Sequence, residues 1–111
     1  MAYRFGDFTL DPDTRRLRAT GRDVHVSPKA FDLLALLVDH RARAVSKGEL
    51  QQRLWSTTFV EETNLASLVA EIRRALHDAA ANPRFVRTVY GFGYQFVDDV
   101  IASGGPTRSG E

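Results

Sequence analysis

Along residues 63–76, TNLASLVAEIRRAL, side chains able to hydrogen-bond recur at three- and four-residue steps: Asn64, Ser67, Glu71 and Arg74. At 100° per residue these four lie on one side of a helix, flanked by Thr63 and Ala70, with Leu68 and Arg73 at its two margins. Leu65, Val69, Ile72 and Leu76 fall on the other side as an apolar stripe. Such a helix buries one face and offers the other as a row of short polar groups. Their chemistry is recognition rather than bond making. Were the partner a DNA duplex, an asparagine would pair bidentately with adenine, a guanidinium reach guanine or phosphate, a glutamate accept from the cytosine amino group, and leucine methyls meet a thymine methyl.

The other groups that could do chemistry fit weaker readings. Gly91-x-Gly93 is not a dinucleotide fingerprint, because position 96 is Phe96 and a strand follows where a helix would be needed. His25, His40 and His77 fall on three different elements without acidic or cysteine partners at ligand spacing, so no metal site is expected. No serine sits in G-x-S-x-G and no nucleophile–base pair is visible, so no enzyme, cofactor or small-molecule substrate is expected either. The chain has 111 residues, no cysteine, and 15 Lys and Arg against 14 Asp and Glu. That is one domain without a disulfide framework and without a strong global pull toward a polyanion. Polyanion binding must come from local cations: Lys47, Arg73, Arg74, Arg84 and Arg87, with Arg41 and Arg43 nearby. No apolar run approaches the roughly 18 residues that span a bilayer, and no secretory signal opens the chain. The expected location is the cytoplasm.

The elements that would position these groups can be read in order. Residues 3–26 alternate and break, with strands expected at Tyr3–Phe5, Phe8–Leu10, Arg16–Ala19 and Val24–Val26 and turn residues between them. Ser27-Pro28 opens a first helix as N-cap and first helical residue. Phe31, Leu34, Ala35 and Val38 form its buried stripe, and positive charge at His40-Arg41 suits its C-terminus. Ser46-x-x-Glu49 is a capping box for a second helix running to about Leu54. WSTTFVEE, residues 55–62, has no helical period and reads as a loop before the third helix, which Ala79 to Pro83 ends. RFVRTVYGFGYQF, residues 84–96, reads as a hairpin: Phe92, Tyr94 and Phe96 share a strand face, while Phe85, Val89 and Tyr90 come from its partner. Gly91 and Gly93 allow a tight tip. Residues 101–111 are small, polar and glycine-rich, a flexible linker or tail after a domain of 1–100. Two helices joined by a loop, with an aromatic hairpin behind the second, suggest a helix-turn-helix with a wing.

Four ordered motifs carry a resemblance. VSPKAFDLLALLVDH is similar to the first helix of the OmpR/PhoB-type winged-helix domain and VSKGELQQRLW to its second. VEETNLASLVAEIRRAL resembles its recognition helix and FVRTVYGFGYQF its wing, so the likeness covers residues 3 to 97. It implies an α+β winged helix-turn-helix fold with an N-terminal four-stranded antiparallel sheet, three helices and a C-terminal β-hairpin wing. It also implies a transcriptional regulator's output domain that binds double-stranded DNA, third helix in the major groove and wing at the minor groove. Carried over residue by residue, the DNA-facing set is Thr63, Asn64, Ser67, Leu68, Glu71, Arg73 and Arg74, with Lys47, Trp55, Arg87 and Tyr90. Thr57, Thr58, Phe59, Glu61 and Glu62 fall in the loop that often contacts RNA polymerase.

Several readings stay open beside these. Trp55 reads equally as a core plug or as a contact to the DNA backbone. Glu61 and Glu62 could serve the dipole of the third helix instead of a polymerase. The family is commonly more basic where this chain has Thr63, Ala70 and Glu71, and carries arginine where it has Tyr90. Both departures predict weaker binding or a different site preference, and they leave a protein-binding winged helix as the alternative. Most members carry this domain behind a receiver domain. The linker after this one resembles the branch in which a sensor or regulatory region follows, and pairing on tandem half-sites is expected to tighten binding.

Overall fold

The computed structural model of the chain describes residues 2–55, 62–79 and 81–103, with the backbone alone for 62–64 and 103. Its first four strands are β1 (Ala2–Phe5), β2 (Phe8–Asp11), β3 (Arg16–Ala19) and β4 (Arg22–Val24), all antiparallel. The fourth strand lies two residues earlier than the pattern predicts. Ala19 pairs with Arg22 across Thr20-Gly21, so the two-residue turn sets the register and pairing begins immediately after it. Gly21 takes a φ of 77° there.

A fifth strand joins the N-terminal four. The sheet order is β4-β3-β2-β1-β8, where β8 (Ile101–Ser103) pairs antiparallel with β1. The boundary read at residue 100 therefore falls short of the last strand. Pairing at an edge is made by main-chain groups alone, so Ile101-Ala102-Ser103 needs no apolar alternation to join it.

Helix α1 (Pro28–Asp39) starts as expected, with the Ser27 hydroxyl accepting from the Ala30 N–H. At its end the Arg41 guanidinium donates to the Val38 carbonyl, where a cation suits the terminal carbonyls. A two-residue strand β5 (Val45–Ser46) leads into α2 (Lys47–Leu54), whose N-cap Ser46 accepts from the Glu49 N–H. The Glu49 carboxylate turns instead to Arg43 and Arg53, at 3.0 and 3.1 Å. The hydrogen-bonded Arg43 guanidinium holds that carboxyl below the usual range.

Helix α3 (Glu62–Leu76) ends earlier than the sequence pattern suggests. His77 adopts a φ of 56°, Asp78 N–H donates to Arg73 O and His77 N–H to Arg74 O. This is a Schellman cap built on a non-glycine residue. The Asp78 carboxylate then accepts from the N–H groups of Arg84, Phe85 and Val86, fixing the path into the hairpin.

The hairpin is β6 (Val86–Val89) and β7 (Gly93–Phe96), and β5 pairs with the far side of β7. Phe5, Phe8, Phe85 and Phe96 cluster at its base, with ring centroids 4.9 Å apart for Phe5 and Phe96 and 5.7 Å for Phe8 and Phe85. These edge-on contacts lock the N-terminal sheet to the hairpin. The core between sheet and helices holds Leu10, Leu17, Leu33, Leu34, Leu37, Leu50, Leu65 and Ile72.

Candidate nucleic-acid interface

Helix α3 divides as its periodicity demands. Leu65, Val69, Ile72 and Leu76 are buried, and Ala66, Ser67, Ala70 and Arg74 are exposed. The small residues leave the backbone accessible, while Ser67 and Arg74 supply polar reach. Leu68 is half-buried against the core, so only its outer methyl side is available.

Two of the expected contact residues are half-buried and bonded within the fold. Glu71 accepts from the Ser27 N–H at 2.6 Å and from the Ser27 hydroxyl at 2.9 Å. Helix α1 has no acidic residue in its first turn. Glu71 supplies from a neighbouring helix what a glutamate three residues after the cap supplies in a capping box, and its negative charge meets the positive end of α1. That missing acid in α1 was a signal in the sequence, though nothing in it said which carboxylate would fill the place.

Arg73 is the second such residue. Its guanidinium donates to the Val86 carbonyl at 3.0 Å and to the Thr88 hydroxyl at 2.9 Å. It therefore struts α3 to β6 and fixes the helix relative to the wing. Both residues are half-buried, within reach of neighbours that the helical wheel does not show. We expect Glu71→Ala to cost about 1–3 kcal/mol, because the Ser27 N–H loses a charged acceptor. Thermal denaturation checks the loss. Preference among DNA duplexes should stay unchanged relative to random DNA, and a change in it would return Glu71 to the contact face.

The wing is split between two jobs. Phe85, Val86, Tyr94 and Phe96 are buried at its base. Phe92 does not share their face: it lies in the turn before β7, its N–H donating to Val89 O and its carbonyl accepting from the Lys47 N–H. That second bond ties the wing tip to the first residue of α2. Tyr90 stands at the tip, almost wholly exposed. Arg87 is exposed on β6 and bonded across the strands to the Gln95 side chain at 3.1 Å. The two glycines differ in role, since Gly91 has a φ of 74° whereas Gly93 has ordinary strand backbone in close contact with β5.

Trp55 caps the C-terminus of α2, half-buried against the core, with the Lys29 ammonium 5.7 Å from its ring centroid. The side chains of Thr63, Asn64 and Glu62 lie outside the described residues, as do Thr57, Thr58, Phe59 and Glu61 altogether. Of the cations near the start of α2, Arg43 is paired with Glu49. Among the described residues no group of three or more His, Asp or Glu is placed to hold a metal, and no helix is long and apolar enough to cross a membrane. What the arrangement can do is present a partly polar helix face beside a tethered hairpin tip.

Known proteins share this architecture. Residues 21–96 match the family described as "Transcriptional regulatory protein, C terminal". The transcriptional regulatory protein KdpE of Mycobacterium tuberculosis is 32% identical over 90 residues, 80% of this chain and 40% of that protein. The chain thus spans about two fifths of the length of such curated relatives. The DNA-binding domain of Klebsiella pneumoniae RstA, solved in complex with the RstA box, superimposes with a TM-score of 0.75 at 26% identity, covering 86% of this chain and 96% of that one. The DNA-binding domain of E. coli CadC gives 0.78 at 25% identity, with 90% and 94% covered. This chain belongs to the transcriptional regulatory protein C-terminal family, the winged-helix DNA-binding domains of the OmpR/PhoB type.

Proposed function

We infer that this domain binds double-stranded DNA in a sequence-specific manner as the output domain of a bacterial-type transcriptional regulator. Helix α3 enters the major groove and the wing tip meets the neighbouring minor groove. The observation that carries this is the outer face of α3: Ala66, Ser67, Ala70 and Arg74 stay exposed while every large apolar side chain of the buried stripe is covered. The RstA complex with its DNA box supports the same use of the fold. We further propose Asn64, Ser67 and Arg74 as base or phosphate contacts from α3, and Lys47, Trp55 and Arg87 as contacts to the backbone. The segment 57–62 is proposed to meet RNA polymerase, two copies to occupy tandem half-sites, and a sensor or regulatory region to adjoin this domain in a cytoplasmic protein.

Positioning and reading separate by mutation. Arg87→Ala should weaken binding to every duplex alike and lower the salt slope by about one unit, because a phosphate contact is blind to sequence. Asn64→Ala should cost on the order of 1–3 kcal/mol on a selected site and little on random DNA. Anisotropy titrations on both duplexes at several salt concentrations decide this. If the two variants behave identically on selected and random DNA, α3 is not the reader. A lower melting temperature with intact discrimination would make Asn64 a helix cap only.

A further inference from the structure

The wing tip carries exposed rings and no cation. Tyr90 is 91% exposed and Phe92 47%. The backbone beneath them is held in place. Phe92 N–H closes the turn on Val89 O at 2.9 Å, and the Phe92 carbonyl accepts from Lys47 N–H at 2.9 Å, at the start of α2. Gly91 supplies the left-handed residue the turn requires. The guanidiniums of the hairpin lie away from the tip. Arg84 lies 3.8 Å from Asp98, and Arg87 is bonded to Gln95. Three residues of strand, about 10 Å, separate Arg87 from Tyr90. Rings left in water on a fixed scaffold are available for contact, and the rigidity of the scaffold lowers the ordering cost of binding.

We propose that Tyr90, with Phe92 exposed in the same turn, is an apolar wedge that enters the minor groove beside α3 and partly unstacks one base step. This rests on the DNA-binding reading above and adds what the wing selects. A neutral ring gains nothing from the enhanced negative potential of a narrow A-tract groove, which rewards an inserted cation. Its gain comes from stacking and from burial of its faces, at the cost of opening the step. Pyrimidine–purine steps such as TpA open most easily. The wing therefore reads deformability at its position, and the bound duplex is kinked there. The tether through Lys47 makes this contact depend on how α2 and α3 are seated, so the selected step lies at a fixed distance from the bases read by α3.

The test begins with duplexes enriched from a randomised 25-base-pair pool by the wild-type domain. Each enriched sequence is then rebuilt with TpA or with ApA at every flanking step and labelled at both ends. Anisotropy gives affinity and end-to-end energy transfer gives bending. We expect one flanking position at which TpA binds about ten-fold tighter than ApA and is bent. Tyr90→Ala should erase both the preference and the bend, and Tyr90→Phe should keep them. Tyr90→Arg should shift the preference toward the A-tract duplex. All three variants should melt with the wild type, because the side chain they change is exposed. The proposal is overturned if Tyr90→Ala ranks and bends the duplexes as wild type does, which would assign the rings to a protein partner. It is equally overturned if Tyr90→Phe loses as much as Tyr90→Ala, which would make the hydroxyl the contact. Failure of the wild-type domain to enrich any duplex would remove the DNA-binding reading itself, and the wedge with it.

Discussion

Phe31→Ala should destabilise the domain by about 3–5 kcal/mol, the range for truncating a buried aromatic side chain. Phe31 is only 4% exposed. It opens the apolar stripe of α1, and the Arg15 guanidinium lies over its ring at 4.9 Å. The ring belongs to the buried core and borders a cleft of about 400 Å³ between α1 and the β3–β4 hairpin, shared with Leu17, Val24 and Val26. That neighbourhood sets the magnitude. Truncation enlarges an existing cleft that water can enter, so the void is not sealed and the cost falls toward the low end of the range. The guanidinium also loses its aromatic platform, worth about 0.5–1 kcal/mol at a partly exposed site. A loss of 3 kcal/mol in a domain of this size lowers the melting temperature by roughly 12 °C or more. Calorimetry of the variant checks it, and a melt within a few degrees of wild type would show that α1 is not anchored through this ring.

What could be read from the sequence was whatever depends on local periodicity and capping. The stripe Leu65, Val69, Ile72 and Leu76 is buried as its spacing requires, and Ser27 and Ser46 cap the helices they precede. These follow from i, i+3, i+4 geometry within one element. What could not be read shares a different origin, since most of it depends on what lies across a gap in space. Glu71 and Arg73 fall outside the buried stripe on a wheel, but Ser27 is 44 residues from Glu71 and Thr88 is 15 from Arg73. No single-element pattern reports such partners. The two-residue strand β5 and the main-chain pairing of β8 were invisible for the same reason: hydrogen-bonded edges carry little side-chain signature. Phe92 was misplaced by extending a period of two through a turn, where the alternation stops. The site was legible as a surface, in the exposed Ser67, Arg74, Arg87 and Tyr90, and illegible as a contact list.

Gly93→Ala should be the most damaging alanine substitution among the described glycines. A Cβ at that position would stand 1.9 Å from the Val45 carbonyl oxygen and 2.9 Å from Ser46 Cα, and both neighbours are backbone. No rotamer change relieves a contact with main chain. Gly93 pairs with Ser46 on one side and Val89 on the other, so it lies in the middle of the three-stranded sheet. Relief requires β5 to leave β7, which would withdraw Val45 from the core and misplace the Ser46 cap of α2. The bond from Lys47 N–H to the Phe92 carbonyl would go with it, releasing the wing tip. Burial, cap and pairing lost together put the cost on the order of 4 kcal/mol, the exceptional end for point substitutions. Conformational freedom is not the reason, since Gly93 is not among the residues with positive φ. At a compatible backbone, alanine for glycine would stabilise by about 0.4–1 kcal/mol. Gly91 provides the contrast: its φ is 74° and nothing lies within 4 Å of its would-be Cβ, so Gly91→Ala should cost only about 1–2 kcal/mol of left-handed strain. Chemical denaturation of the pair tests the order. If Gly91→Ala proves the more harmful, the wing is held by its turn and not by its contact with β5, and the coupling of wing tip to α2 fails with it.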